Sequence, residues 1–183
     1  MAWVERWLGD LVPGSRVLDF ACGRGRHAVL AAGKGHRVLA VDRNAEALAG
    51  LAAPIETLCS DLEADPWPFA DQQFDAVIVT NYLFRPRLAQ LGDLLAPGGR
   101  LIYATFGQGN EAYGRPSNPD FLLAPGELLE LARRLDLQVA GFESGVCGEP
   151  PAAVVERLCA WRQVVPGTRV SIDCPVNDSG QLK

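Results

Sequence analysis

The chain has 183 residues, which is most simply one domain with a substantial buried core. Its apolar fraction of 48% argues against intrinsic disorder, and its net charge of −5 provides no general attraction for nucleic acid or for an anionic membrane surface. Five scattered cysteines without a CxxC pair, only two histidines and no HExxH motif argue against a disulfide framework and against a metal site. With neither a membrane-span candidate nor a signal peptide, the sequence predicts a cytoplasmic protein.

Strand-like and helix-like segments alternate along the chain. A short amphipathic helix is predicted at the N-terminus; apolar, β-rich runs then indicate strands, and periodic segments with capping residues indicate helices. The predicted strands, in chain order, are residues 16–20, 37–41, 55–59, 74–80, 101–106, 137–142 and 152–161. The predicted helices between them are residues 24–35, 44–51, 86–95 and 126–135.

This alternation predicts an α/β fold with a doubly wound, mostly parallel sheet of seven strands and helices on both faces. No helical segment separates the last two strands, so we expect them to form an antiparallel pair at one edge of the sheet. Residues 1–162 are predicted to form this single domain. Residues 163–183 are polar, contain two prolines and are predicted to be a tail that adds little to the core.

The glycine turn after the first predicted strand is the most informative feature. The segment VLDFACGRGRH closes its apolar run on Asp19, passes through the small residues 21–25 and continues as a helix. Such a turn lets a ligand approach bare backbone, and Asp42 at the end of the second strand can accept both hydroxyls of a ribose. Asp61 and Glu63 follow the third strand. Together these residues predict a nucleoside site at the carboxyl ends of the strands.

Two classes of cofactor fit such a turn. The letters GRGRHA satisfy the G-x-G-x-x-G/A pattern of dinucleotide-binding oxidoreductases, so an NAD-binding enzyme is one alternative. A pyrophosphate, however, prefers helix N–H groups without a nearby carboxylate, and Asp19 lies close to Gly23 in the sequence. S-adenosylmethionine carries no phosphate, and its sulfonium and ammonium groups favour nearby carboxylates.

Five ordered motifs carry a resemblance to class I S-adenosylmethionine-dependent methyltransferases. LDFACGRG resembles the family's first motif, usually DxGCGxG, with Ala21 in place of a glycine; FDAVIVTNYL resembles its fourth strand and LAPGGRLI the turn into the fifth. The segment CGRGRHAVLAAGKGHRVLAVDRN is similar to the small bacterial tellurite-resistance-type methyltransferases. The resemblance implies S-adenosyl-L-methionine as cofactor, a ribose acid at Asp42 and an adenine-binding pair at 61–62. The implied cofactor-binding residues are Asp19, Ala21, Cys22, Gly23, Gly25, Asp42, Arg43, Asp61, Leu62 and Asn81.

The methyl acceptor is predicted to be a small molecule. After the fourth strand the chain reads NYLF, not the N/D-P-P-Y/F of enzymes that methylate bases, and the acidic charge also disfavours nucleic acid. If the first and fourth strands are neighbours, several basic residues could gather at one rim, which suggests an anionic acceptor such as a carboxylate or an oxyanion. These residues are Arg24, Arg26, His27, Arg85 and Arg87, with Arg26 and Arg85 as the predicted acceptor-binding pair.

Three further hypotheses concern the same site. Tyr82 is predicted to stack near the methyl group or to donate to the nucleophile, and His27 is a candidate general base. Residues 107–123 form either a substrate-facing lid or a surface loop held by its own side chains. A non-catalytic nucleoside sensor or regulatory module is the second functional class, and the protein is expected to be a monomer or a homodimer.

Overall fold

In the computed structural model, which describes residues 2–164, seven strands form one sheet. The strands are β1 (Arg16–Phe20), β2 (Arg37–Asp42), β3 (Glu56–Cys59), β4 (Phe74–Thr80), β5 (Leu95–Phe106), β6 (Leu137–Cys147) and β7 (Ala153–Arg162). The helices are α1 (Ala2–Leu8), α2 (Arg26–Gly33), α3 (Ala45–Ala49) and α4 (Glu127–Arg134), with 3₁₀ segments at Arg85–Leu91, Asn110–Ala112 and Pro119–Phe121. No helix in this part of the chain is long and apolar enough to cross a membrane.

The strand order is β3-β2-β1-β4-β5-β7-β6. The first five strands in this order run parallel to one another, and β7 is antiparallel to both of its neighbours, β5 and β6. This arrangement confirms the predicted α/β fold with its antiparallel edge. The order reverses between β1 and β4, where Leu18 pairs with Leu39 on one side and with Val77 on the other. In open α/β sheets a ligand binds beside such a reversal, at the carboxyl ends of the strands.

Two apolar layers cover the sheet. On one face α1, α2 and α3 pack their buried side chains, including the edge-to-face pair Trp3 and Trp7, whose ring centroids are 5.7 Å apart. On the other face the 3₁₀ segment Arg85–Leu91 and α4 pack over the sheet, with α4 against β6 and β7, together with an aromatic cluster around Phe20 and Phe69. Because β1 and β4 are buried on both faces, they carry the nearly continuous apolar runs typical of inner parallel strands.

Several element predictions differ from the structure at their ends or in type. The helix predicted at 86–95 is instead the short 3₁₀ segment Arg85–Leu91. It has Pro86 in its first turn and is followed by Gly92 as its C-cap. Strand β5 begins at Leu95, six residues earlier than predicted, because Leu95 pairs with Phe74 before a shift in register. Strand β6 continues five residues beyond the prediction, to Cys147. Most of the predicted tail, residues 165–183, lies outside the described part of the chain.

Candidate active site

Three residues of the turn after β1 adopt the left-handed conformation. Ala21, Gly23 and Gly25 have φ values of 55°, 55° and 68°. This conformation costs glycine nothing, whereas Ala21 adopts it against its Cβ, which explains why glycine is the usual residue there. A Cβ at Gly23 would meet no atom of residues 2–164 within 4 Å, so this part of the chain leaves the backbone there open to a ligand.

Asp42 fixes the turn from the end of β2. Its Oδ2 accepts a hydrogen bond from the Gly23 N–H at 2.7 Å, and its Oδ1 accepts one from the Asn44 N–H at 2.9 Å. Each carboxylate oxygen has a second lone pair, so Asp42 can hold the turn and still accept ligand hydroxyls.

An acidic hollow of about 120 Å³ lies beside Asp42. Arg43 reaches across it to Asp61, with 3.9 Å between Nη1 and Oδ2. Asp61 is itself oriented because its Oδ1 accepts a hydrogen bond from the Glu63 N–H at 2.9 Å. The structure therefore brings together six predicted site residues in one place. The lining is formed by Ala21, Asp42, Arg43, Ser60, Asp61, Leu62, Glu63 and Tyr82.

Two other predicted residues, Asp19 and Cys22, do not line the acidic hollow. Asp19 is only 1% exposed, and its Oδ2 accepts a hydrogen bond from the Ala28 N–H at 2.8 Å, which ties β1 to α2. Burial raises the pKa of this carboxyl to about 7. The carboxylates that face the hollow are thus Asp42, Asp61 and Glu63. Asp19, which the sequence analysis also expected at the ligand, does not line it. Burial, with help from Asp19 and Asp42, raises the pKa of the Cys22 thiol to about 12, so it stays protonated.

A second hollow, of about 210 Å³, has arginines in its wall. Arg26 lies here, and its Nη2 is 3.2 Å from Nε2 of the buried His27. Burial, reinforced by Arg26, lowers the pKa of His27 to about 4, so the ring is neutral near pH 7 and its Nε2 accepts from Arg26. This contact leaves His27 poorly suited to act as a general base. The lining of this arginine-lined hollow is formed by Ala2, Trp3, Arg26, His27, Thr80, Asn81, Ala104, Thr105, Val155 and Arg157.

An aromatic hollow of about 270 Å³ adjoins both of the others. It shares Tyr82 with the acidic hollow and Asn81 with the arginine-lined one. The Tyr82 hydroxyl is buried and has no hydrogen-bond partner within residues 2–164, and burial raises its pKa. Asn81 has a φ of 52° and donates its N–H to the Ala104 carbonyl at 2.9 Å. The hollow is lined by Glu63, Asn81, Tyr82, Leu83, Thr105, Phe106, Pro116 and Phe121.

The loop 107–123 combines both of the interpretations drawn from its sequence. Pro116 and Phe121 form a wall of the aromatic hollow, as expected of a substrate-facing segment. Asn110 is 1% exposed and fastens the loop from within: its Nδ2 donates to the Pro116 carbonyl, and its Oδ1 accepts from the Val154 N–H.

The structure does not gather the basic residues at one rim. Arg85 forms a two-pronged ion pair with Glu127, at 2.7 and 2.8 Å, and also donates to the carbonyls of Asp120 and Leu122. It therefore anchors the end of the loop and lines none of the three hollows. The local sequence gives no sign of this partnership, since Glu127 lies 42 residues further along the chain.

The other two arginines also point elsewhere. Arg87 packs over the Trp67 ring and donates to the Asp65 carbonyl, while Arg24 lies in a separate depression beside α3. Arg157, which sequence reasoning missed, joins Arg26 in the arginine-lined hollow instead. Its position on a late antiparallel strand gives no motif by which it could be found.

Comparison with known proteins supplies independent information. Residues 17–99 match a family model described as "Methyltransferase domain". Among curated proteins, the demethylmenaquinone methyltransferase of Corynebacterium urealyticum is 36% identical over 103 residues, covering 53% of this chain and 44% of that protein. The chain thus spans less than half the length of the curated relatives it matches.

Solved structures give the same picture of the fold. TehB from Haemophilus influenzae superposes with a TM-score of 0.73 at 19% identity, covering 89% of this chain and 62% of that one. A TehB-like S-adenosylmethionine-dependent methyltransferase from Corynebacterium glutamicum superposes with a TM-score of 0.64 at 21% identity, covering 87% and 88%. These neighbours confirm the predicted Rossmann-like architecture.

Proposed function

We propose that the chain transfers the methyl group of S-adenosylmethionine to a small molecule, because residues 17–99 match a methyltransferase domain model and the fold resembles that of TehB. One observation carries the proposal. The residues that resemble the family's ribose-binding acid and adenine-binding pair, Asp42 and 61–62, line a single hollow beside a left-handed glycine turn.

The acidic hollow is proposed to hold the adenosine end of the cofactor. Asp42 would accept the ribose hydroxyls, and Asp61 with Leu62 would contact the adenine. Three carboxylates in the lining, those of Asp42, Asp61 and Glu63, favour a cationic sulfonium and oppose a pyrophosphate. The same charges make the alternative, an NAD-binding oxidoreductase, a poorer fit.

Methyl transfer is an in-line displacement. A lone pair of the acceptor forms the new bond to the methyl carbon while the carbon–sulfur bond breaks, and the sulfonium leaves as the neutral thioether of S-adenosylhomocysteine. Such a step depends mainly on alignment and on the exclusion of water. Tyr82, which lines both the acidic and the aromatic hollow, would help to align the two reactants.

The acceptor is proposed to be a small anionic molecule. Of the two arginines assigned to it from the sequence, Arg26 keeps that role because it lines a hollow next to Asn81. Arg85 is fully engaged with Glu127 and with backbone carbonyls, so we now assign it to loop anchoring.

Two measurements test the proposal. Calorimetry with S-adenosylmethionine, S-adenosylhomocysteine and NAD should show binding of the first two only; binding of NAD alone would contradict it. Transfer of a radiolabelled methyl group should then be measured across small carboxylates, oxyanions, phenols and thiols. Cofactor binding without transfer to any of them would favour the sensor.

A further inference from the structure

We propose that Arg157 of β7 selects a negatively charged acceptor, by pairing with its carboxylate or oxyanion group inside the arginine-lined hollow. The inference rests on the proposed function, whose methyl acceptor it assigns to a chemical class and to a place. It adds a residue that lies outside every motif of the sequence.

The arginine-lined hollow and the acidic hollow differ in charge. Two guanidinium groups, those of Arg26 and Arg157, line the arginine-lined hollow, and no carboxylate among residues 2–164 lines it. The acidic hollow on the other side of the turn is lined by three carboxylates and one arginine. An anionic group is therefore attracted to the arginine-lined hollow and repelled from the acidic one.

Arg26 is held in direction by its neighbour. Its Nη2 donates to Nε2 of His27, which is 4% exposed and therefore fixed by packing. Because the imidazole is neutral, it orients the guanidinium without cancelling or adding charge. Arg26 thus presents a fixed positive charge on one wall.

Arg157 lines the same hollow from strand β7. It pairs in register with Ala104 of β5, another residue of the lining. Within the described chain its guanidinium makes one hydrogen bond, from Nη1 to Oε2 of Glu143 at 3.0 Å. A guanidinium has five N–H donors in a planar fork, so several remain for a carboxylate. Glu143 is about half exposed, and such an ion pair is weak enough to yield to a ligand.

The rest of the lining limits what the anion can be attached to. Trp3 and Val155 supply apolar surface, and the Trp3 indole is fixed by its hydrogen bond to the Leu158 carbonyl. A volume of about 210 Å³ admits a small body only. The expected acceptor is a small carboxylate or oxyanion with a compact apolar part.

Binding of benzoate and benzamide, two probes of the same shape that differ in charge, tests the assignment. Calorimetry is carried out on the full chain saturated with S-adenosylhomocysteine. We expect the native protein to bind benzoate at least about tenfold more tightly than benzamide, as for a charge-assisted hydrogen-bonded pair. Arg157→Gln should remove most of this preference while the affinity for S-adenosylhomocysteine is unchanged.

Arg133→Gln is the matched control, since Arg133 also pairs with a single glutamate but lies on the exposed face of α4. It should leave both probes unaffected. Equal binding of the two probes by the native protein would overturn the inference. So would an Arg157→Gln variant that loses affinity for S-adenosylhomocysteine instead of benzoate, because the hollow would then hold the cofactor's own carboxylate. If S-adenosylhomocysteine does not bind at all, the proposed function fails, whereas the benzoate preference can still be read on the free protein.

Discussion

The acidic hollow and the arginine-lined hollow flank the same turn but are assembled differently. The acidic hollow is built from residues 21–82, most of them within or next to recognisable motifs. The arginine-lined hollow takes side chains from α1, α2, β4, β5 and β7, which only the folded sheet brings together. The proposed cofactor site is therefore encoded largely by local sequence, whereas the proposed acceptor site depends on long-range pairing.

Replacing Asp42 should have the largest effect, and it should affect ligand binding in the acidic hollow but not in the arginine-lined hollow. Asp42→Ala removes the proposed ribose acceptor and two hydrogen bonds, one from the Gly23 N–H of the turn and one from the Asn44 N–H before α3. We expect S-adenosylhomocysteine to bind at least about 100-fold more weakly by calorimetry. Benzoate binding should be retained, and the exposed Glu5→Ala serves as control. Loss of both ligands would show that the hollows are not independent.

The two glycines of the turn should respond unequally. Gly23→Ala suffers backbone strain alone, while Gly25→Ala also drives a methyl group into the Leu51 side chain. We expect Gly25→Ala to lower the free energy of unfolding by about 2 kcal/mol and Gly23→Ala by about 1 kcal/mol. Urea denaturation measures both, and equal losses would refute the Leu51 contact as the cause.

Asp19 should make stability depend on pH. Its pKa is about 7 in the folded protein and 3.8 when unperturbed, so the folded state keeps a proton that the unfolded state has lost. The contribution of Asp19 to unfolding free energy therefore falls as pH rises from about 4 to about 7, by about 1 kcal/mol per pH unit, and is constant above that. Asp19→Asn keeps an acceptor for the Ala28 N–H but does not titrate. A stability difference between the two proteins that is independent of pH would contradict this role.

Arg85→Ala is expected to have the smallest effect. The lost ion pair is partly exposed, so the free energy of unfolding should fall by only about 1 kcal/mol. The end of the loop 107–123 should loosen, which hydrogen exchange at Leu122 can detect. Binding of S-adenosylhomocysteine and benzoate should both persist. A loss of benzoate binding as large as that of Arg157→Gln would restore Arg85 to the acceptor site.

What could be predicted from sequence follows the same division. The apolar runs of β1 and β4 are local signals, and their predicted bounds agree with the structure. The turn and Asp42 were predictable because each follows an apolar strand and both lie within one contiguous segment of the sequence, residues 21–42. The partners of Arg85 and the placement of Arg157 were not, because each depends on a residue brought near by tertiary pairing. Asp19 was expected at the ligand but is buried, because a motif gives the position of a carboxyl along the chain and not its solvent exposure.

Gly141, a glycine far from the turn, allows α1 to pack closely against the sheet. A Cβ at Gly141, in the edge strand β6, would lie 2.5 Å from the Trp7 ring and 3.2 Å from the Trp3 ring. Trp3 is also a wall of the arginine-lined hollow. Adding a single methyl group at this position would therefore displace the two indole rings and alter the shape of the hollow that Trp3 lines. In related chains, the volume of the side chain at position 141 would therefore influence which substrates fit the hollow.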